Sequence, residues 1–222
     1  MLEAIDLGCE RGERTLFTGL QFSVDAGALL RVGGPNGTGK TSLLRILCGL
    51  LEPTAGQVRW KGHNIRRARD EYLGDLVYVG HLNGVKDELT ALENLTVAQA
   101  LAGRKTERAV LRHALDAVGL AQFEHTLAKF LSQGQRRRIA LARLFATVDA
   151  AVWLLDEPFV ALDQRGVAAL AQLIGRFVSD GNRVVLVTHQ DVAIDVPRQQ
   201  HIELTGGTRG TDSEAPEVAT TC

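Results

Sequence analysis

The chain has three cysteines in 222 residues, Cys9, Cys48 and Cys222. An odd, scattered set supports neither a disulfide framework nor a metal site, and reduced thiols in a cytosolic compartment fit it. The formal net charge is −1, so bulk electrostatics give no basis for nonspecific nucleic-acid binding. No stretch approaches 18 uninterrupted apolar residues. Nothing is therefore expected to span a membrane, and any membrane role runs through a partner. Met1 to Asp6 lacks a basic region leading into an apolar run, so no signal peptide is expected. Internal repeats are absent as well. What remains is 45% hydrophobic and 23% charged, ample for one domain with a buried core.

Against that plain background one segment carries chemistry. Gly34-Pro35-Asn36-Gly37-Thr38-Gly39-Lys40-Thr41-Ser42 follows an apolar strand, Ala28 to Val32, and opens an apolar helix, Ser42 to Leu51. The glycines let backbone N–H groups close around phosphate oxygens, Lys40 reaches the terminal phosphates, and the Thr41 hydroxyl holds Mg²⁺. The anion would lie at the positive end of a helix. The expected ligand is a nucleoside triphosphate.

A second apolar strand, Ala151 to Leu155, ends in Asp156-Glu157-Pro158, and a third, Arg183 to Val187, ends in Thr188-His189. In open α/β sheets ligands bind beyond the carboxyl ends of strands. There Asp156 suits Mg²⁺, Glu157 the polarisation of an attacking water, and His189 a sensor of the terminal phosphate. Ser132-Gln133-Gly134-Gln135 opens a further helix. The Ser-x-x-Gln spacing is a capping box, while a Ser/Gly helix start also presents free N–H groups to phosphate. Arg136 to Arg138 read as a solvated face with local acidic contacts.

Strands are further expected at 2–8, 20–24, 58–60 and 76–80. Helices are expected from Lys86 onward with a capping box at Thr90, over 107–118, from Ser132 to Phe145, and over 166–179. β-rich ends bracketing a helical middle give an α/β fold. Its P-loop core is a mixed, mainly parallel sheet flanked by helices, with an antiparallel β subdomain and an inserted helical subdomain. The expected bounds are one domain over 1–205, with its core at 1–82 and 146–205 and the helical part at about 83–145. Residues 206–222 read as a disordered tail.

The phosphate loop, Leu131-Ser132-Gln133-Gly134-Gln135, Asp156-Glu157, Ala161-Leu162-Asp163 and Thr188-His189 occur in an order that resembles the nucleotide-binding subunits of ATP-binding-cassette transporters. That resemblance implies a homodimer packed head to tail, with the Ser132–Gln135 turn of one copy covering the phosphate held by Lys40 of the other. It also implies a loop at Asp163 crossing between copies. The family has a glutamine after the strand 76–80, where this chain has His81. It has an adenine-stacking aromatic where this chain has Arg11, whose guanidinium can also stack on a base.

Arg11-Gly12-Glu13-Arg14, the segment from Gly80 to Leu95 and Trp153 to Phe159 resemble the haem-exporter ATPases of bacterial cytochrome c maturation. What this implies is integral membrane partners, a peripheral place on the cytoplasmic side of the inner membrane, and haem handled by those partners. The residues alone leave open another exporter cargo, a soluble cassette ATPase, and an ATP switch without turnover.

Overall fold

The computed structural model describes residues 1–147 and 149–206. Except for Gly206, the expected tail lies outside the described residues. The chain runs β1 (Leu2–Arg11), β2 (Arg14–Val24), β3 (Ala28–Gly33), α1 (Lys40–Leu47), β4 (Ala55–Trp60), β5 (His63–Asn64), α2 (Arg69–Asp75) and β6 (Leu76–Val79). It continues with α3 (Ala91–Leu101), α4 (Arg108–Ala117), α5 (Gln133–Ala146), β7 (Val152–Asp156), α6 (Gln164–Ser179), β8 (Arg183–Val187) and β9 (Arg198–Glu203).

Five strands form one sheet in the order β6-β7-β8-β3-β9, and every pairing in it is parallel. Among the described strands, antiparallel pairing is confined to a second sheet, β2-β1-β4-β5. The parallel strands are apolar without alternation because both faces are covered. Val152 and Leu154 of β7, with Val185 and Val187 of β8, face α1 and the second sheet. Trp153, Leu155, Val184 and Leu186 face α5 and α6. Trp153 stacks on Phe177 of α6 with ring centroids 3.7 Å apart. Strand period 2 therefore sorts one apolar run into two cores.

Several boundaries differ from expectation, each for a local reason. The helix expected from Lys86 starts at Ala91 instead. The Asn94 amide donates to the carbonyls of Lys86, Leu89 and Thr90, and the Lys86 N–H donates back to it at 2.7 Å. That side chain satisfies residues 86–90 as a loop, and the Thr90–Glu93 capping box then begins the helix. The first helix is Lys40–Leu47 rather than 42–51, since Gly49 turns left-handed just beyond Cys48.

Besides the two-residue strand β5, two longer elements were not foreseen. Strand β9 buries only Ile202, so an edge strand rich in Arg, Gln and His carries no apolar pattern. Helix α2 buries only Tyr72, whose hydroxyl donates to the Leu47 carbonyl at 2.7 Å.

Candidate functional site

Register places the site. Val32 pairs with Val187, and Val187 pairs with Asp156, so β3, β8 and β7 end at one level. The phosphate loop, Thr188-His189 and Glu157 leave the sheet side by side. A cavity of 590 Å³ opens there. Its walls include Arg11, Asn36, Gly37, Gly39, Lys40, Thr41, Ser42, His81, Asp156, Glu157 and His189. Residues from positions 11 to 189 thus meet at one carboxyl edge, where an α/β sheet binds its ligand.

The loop's shape depends on two glycines in particular. Gly34 has φ 127°, and a Cβ there would lie 2.3 Å from the Leu204 carbonyl oxygen. Gly39 has φ 105°, and a Cβ there would lie 3.1 Å from the Phe17 ring and Leu16. Neither position accepts a side chain. Pro35 offers its carbonyl to the Thr38 hydroxyl at 3.0 Å and to the Lys40 ammonium at 2.8 Å; Lys40 donates to the Gly34 carbonyl as well. Lys40 is 9% exposed, so its charge is held by backbone oxygens that a phosphate can replace.

The Thr41 hydroxyl donates to Asp156 Oδ2 at 2.9 Å, and Asp156 is buried. A hydroxyl beside a carboxylate is a hard oxygen pair of the kind Mg²⁺ prefers when phosphates and waters complete its shell. Among the described residues no cluster of three or more His, Cys, Asp or Glu side chains could hold a metal alone. The donor set therefore fits a nucleotide-borne Mg²⁺.

Glu157 lies next to Asp156 in a left-handed conformation, φ 50°, and its N–H donates to the Val187 carbonyl at 2.9 Å. For a non-glycine residue that conformation costs on the order of 1–3 kcal/mol. One carboxylate oxygen accepts from the His189 N–H at 3.3 Å; the other is buried without a hydrogen bond, 3.6 Å from His189 Nε2. An unpartnered buried carboxylate oxygen on a cavity-lining residue is a free hydrogen-bond acceptor.

Ser132 to Gln135 do not line this cavity. They form a complete capping box: Ser132 Oγ accepts from the Gln135 N–H at 3.2 Å, and Gln135 Oε1 accepts from the Ser132 N–H at 2.8 Å. The box leaves out the N–H groups of Gln133 and Gly134. Asp163 caps α6 by accepting from the Gly166 N–H at 2.8 Å, with Arg138 Nη2 3.7 Å away. Within one chain, then, the Ser132 turn and the phosphate loop stay separate.

Two contributors were missed in the sequence. Arg14 lines the cavity beside Gly37, and only the β1–β2 turn, which pairs Arg11 with Arg14, brings it there. Arg137, read as part of a solvated face, is 6% exposed. Its guanidinium donates to the carbonyls of Gly80, Asp156 and Glu157. No sequence signal separates this arginine from its two neighbours. Burial depresses its pKa, offset by Asp156 and Glu157.

The family model for ABC transporters matches residues 17–160. A cytochrome c biogenesis ATP-binding export protein of Nitrosospira multiformis is 48% identical over 204 residues, covering 92% of this chain and 98% of that one. The chain belongs to the ABC transporter family. Its cassette is 50% identical to the export protein of the same description from Dechloromonas aromatica, over 92% of this chain and all of that one. A solved dimeric cassette in a post-hydrolysis state with ADP and Pi superposes with TM-score 0.79, at 24% identity, over 95% of this chain and 100% of that one. The protein is an ABC-type ATPase of the cytochrome c biogenesis branch, and its cassette is built to bind ATP.

Proposed function

We propose that this ATPase powers haem export or delivery in the maturation of c-type cytochromes, releasing a haem-loaded chaperone. The kinship with cytochrome c biogenesis export proteins over nearly the whole chain carries this reading. It acts as a peripheral subunit on the cytoplasmic side of the inner membrane. No helix among the described residues is long and apolar enough to cross a bilayer, so attachment runs through integral membrane partners. An apolar cavity of 450 Å³, lined by Leu50, Leu73, Tyr78, Val97 and Leu101, suits a cytoplasmic segment of such a partner. Leu50 and Leu101 there are 67% and 84% exposed. Haem is handled by the partners, and no nucleic acid takes part.

In this reading the residues divide the work. Gly34 to Ser42 wrap the triphosphate, Lys40 leaves the Gly34 and Pro35 carbonyls for the terminal phosphates, and Arg11 lies against the base. Thr41 and Asp156 hold Mg²⁺, which neutralises phosphate charge. Glu157 orients the attacking water, and His189 senses the terminal phosphate and supports Glu157. His81 couples the site to the membrane partner. The cavity lacks the Ser132–Gln135 helix start, so the unit is a homodimer in which each copy's turn closes the other's phosphate site. Asp163 lies at that crossing. The helical part, about 83–145, carries the turn, and hydrolysis removes the charge that joins the halves.

Glu157→Gln tests the engine. It should retain ATP, lose roughly 10²–10⁴ in turnover, and elute as an ATP-dependent dimer on size exclusion. A monomer with normal turnover contradicts it. Affinity capture from membranes tests the setting: integral subunits and haem-handling proteins should accompany the chain, and their absence favours another cargo.

A further inference from the structure

The Glu157 carboxylate is restrained by little of its own. One oxygen takes a long hydrogen bond from the His189 N–H, and the other has no hydrogen-bond partner. Where the carboxylate points therefore depends on the backbone at 156–157, which is left-handed at Glu157. That backbone is held from two sides. The Glu157 N–H donates to Val187, while Arg137 Nη2 donates to the Asp156 carbonyl at 2.7 Å and the Glu157 carbonyl at 3.0 Å. Arg137 Nη1 simultaneously donates to the Gly80 carbonyl at 2.5 Å, with Asn83 Oδ1 at 3.4 Å. The guanidinium is buried and has no carboxylate ion-pair partner among the described residues. Its planar fork meets backbone oxygens of two segments, a geometry that a lysine point charge cannot reproduce.

We propose that Arg137 is a positioning residue for hydrolysis, fixing the Glu157 backbone so that its carboxylate meets the water. It also ties that backbone to the Gly80–Asn83 segment, which carries His81, and to helix α5, which begins at the Ser132 turn. This rests on the reading of Glu157 as the water-orienting group. Arg137 does not itself line the cavity and reaches it only through the Asp156 and Glu157 carbonyls, so its effect falls on the rate rather than on nucleotide grip.

The experiment compares Arg137→Gln, Arg137→Lys and Glu157→Gln in the full chain, in the assembly in which the wild type turns over. Arg137→Gln should lower kcat about ten- to a hundredfold, the scale of a misplaced reacting group. KM and the calorimetric Kd for ATP should stay within about threefold. Arg137→Lys keeps the buried cation but loses the two-nitrogen fork, and should fall between. It carries the comparison should Arg137→Gln melt below the assay temperature. A kcat within about twofold of wild type, or a parallel loss of kcat and ATP affinity, overturns the proposal. If Glu157→Gln hydrolyses normally, the reading beneath it fails. If Glu157→Gln is inactive while Arg137→Gln is normal, only the role of Arg137 fails.

Discussion

Thr41 donates its hydroxyl to Asp156 Oδ2 at 2.9 Å, across 115 positions of sequence. The bond joins the first turn of α1 to the end of β7, and so links the two halves of the phosphate machinery. Replacing Thr41 by Val removes the bond and the proposed Mg²⁺ ligand together. The Mg²⁺ concentration supporting half-maximal turnover should rise about ten- to a hundredfold, the loss typical of disturbed metal ligation. A Mg²⁺ titration of ATPase activity measures it; an unchanged midpoint removes Thr41 from the ion.

Lys40 donates to the Gly34 and Pro35 carbonyls. Lys40→Ala should abolish ATP binding while melting near the wild-type temperature, because those carbonyls can turn to water. Isothermal calorimetry decides. Comparable affinity in both proteins means that the ammonium does not reach phosphate.

His81 is exposed at the cavity wall, next to the Gly80 carbonyl held by Arg137. His81→Gln should leave the ATP Kd within about twofold and change mainly the stimulation of turnover by membrane subunits. Loss of folding instead, seen by circular dichroism, would make His81 a structural residue.

The apolar cavity between α3 and the core offers its own test. Burying one leucine contributes roughly 1.5–3 kcal/mol, so Leu101→Asp should weaken membrane association about tenfold or more. Nucleotide affinity should not move. Flotation of membranes with bound ATPase measures the first, and full retention of the variant excludes this face.

Cys48 supplies a pH dependence. Burial pushes its thiol up from 9.0 to about 11. Between those values the folded chain keeps a proton that the unfolded chain has released. The stabilisation is therefore complete below about pH 9 and lost as pH rises towards 11, to roughly 3 kcal/mol in all. Urea midpoints at pH 8 and pH 10.5 should fall further in wild type than in Cys48→Ala. Equal drops would show that the thiol does not titrate late.

Where motif and geometry are local, the sequence was sufficient. Gly34 to Thr41 carries its own backbone conformation, Ser132-x-x-Gln135 and Thr90-x-x-Glu93 carry their own caps, and β7 announces its burial by having no polar residue before Asp156. Those features fixed an α/β phosphate-binding fold and most of its cavity wall, because the interactions responsible span only a few residues. β9 escaped because an edge strand needs little apolar surface, and residues 86–90 because one side chain, Asn94, replaced a helical turn.

Tertiary structure alone decided which of three consecutive arginines is buried. Arg136 pairs with Asp87, Arg138 lies near Asp163, and Arg137 turns inward to three carbonyls. Helical spacing puts the three side chains in different directions, but what each direction meets depends on strands 50 or more positions before or about 20 after. The proximity of Arg14 to the phosphate loop, and of Thr41 to Asp156, was settled the same way. A chain's local code states which groups it owns; only packing sets which groups touch.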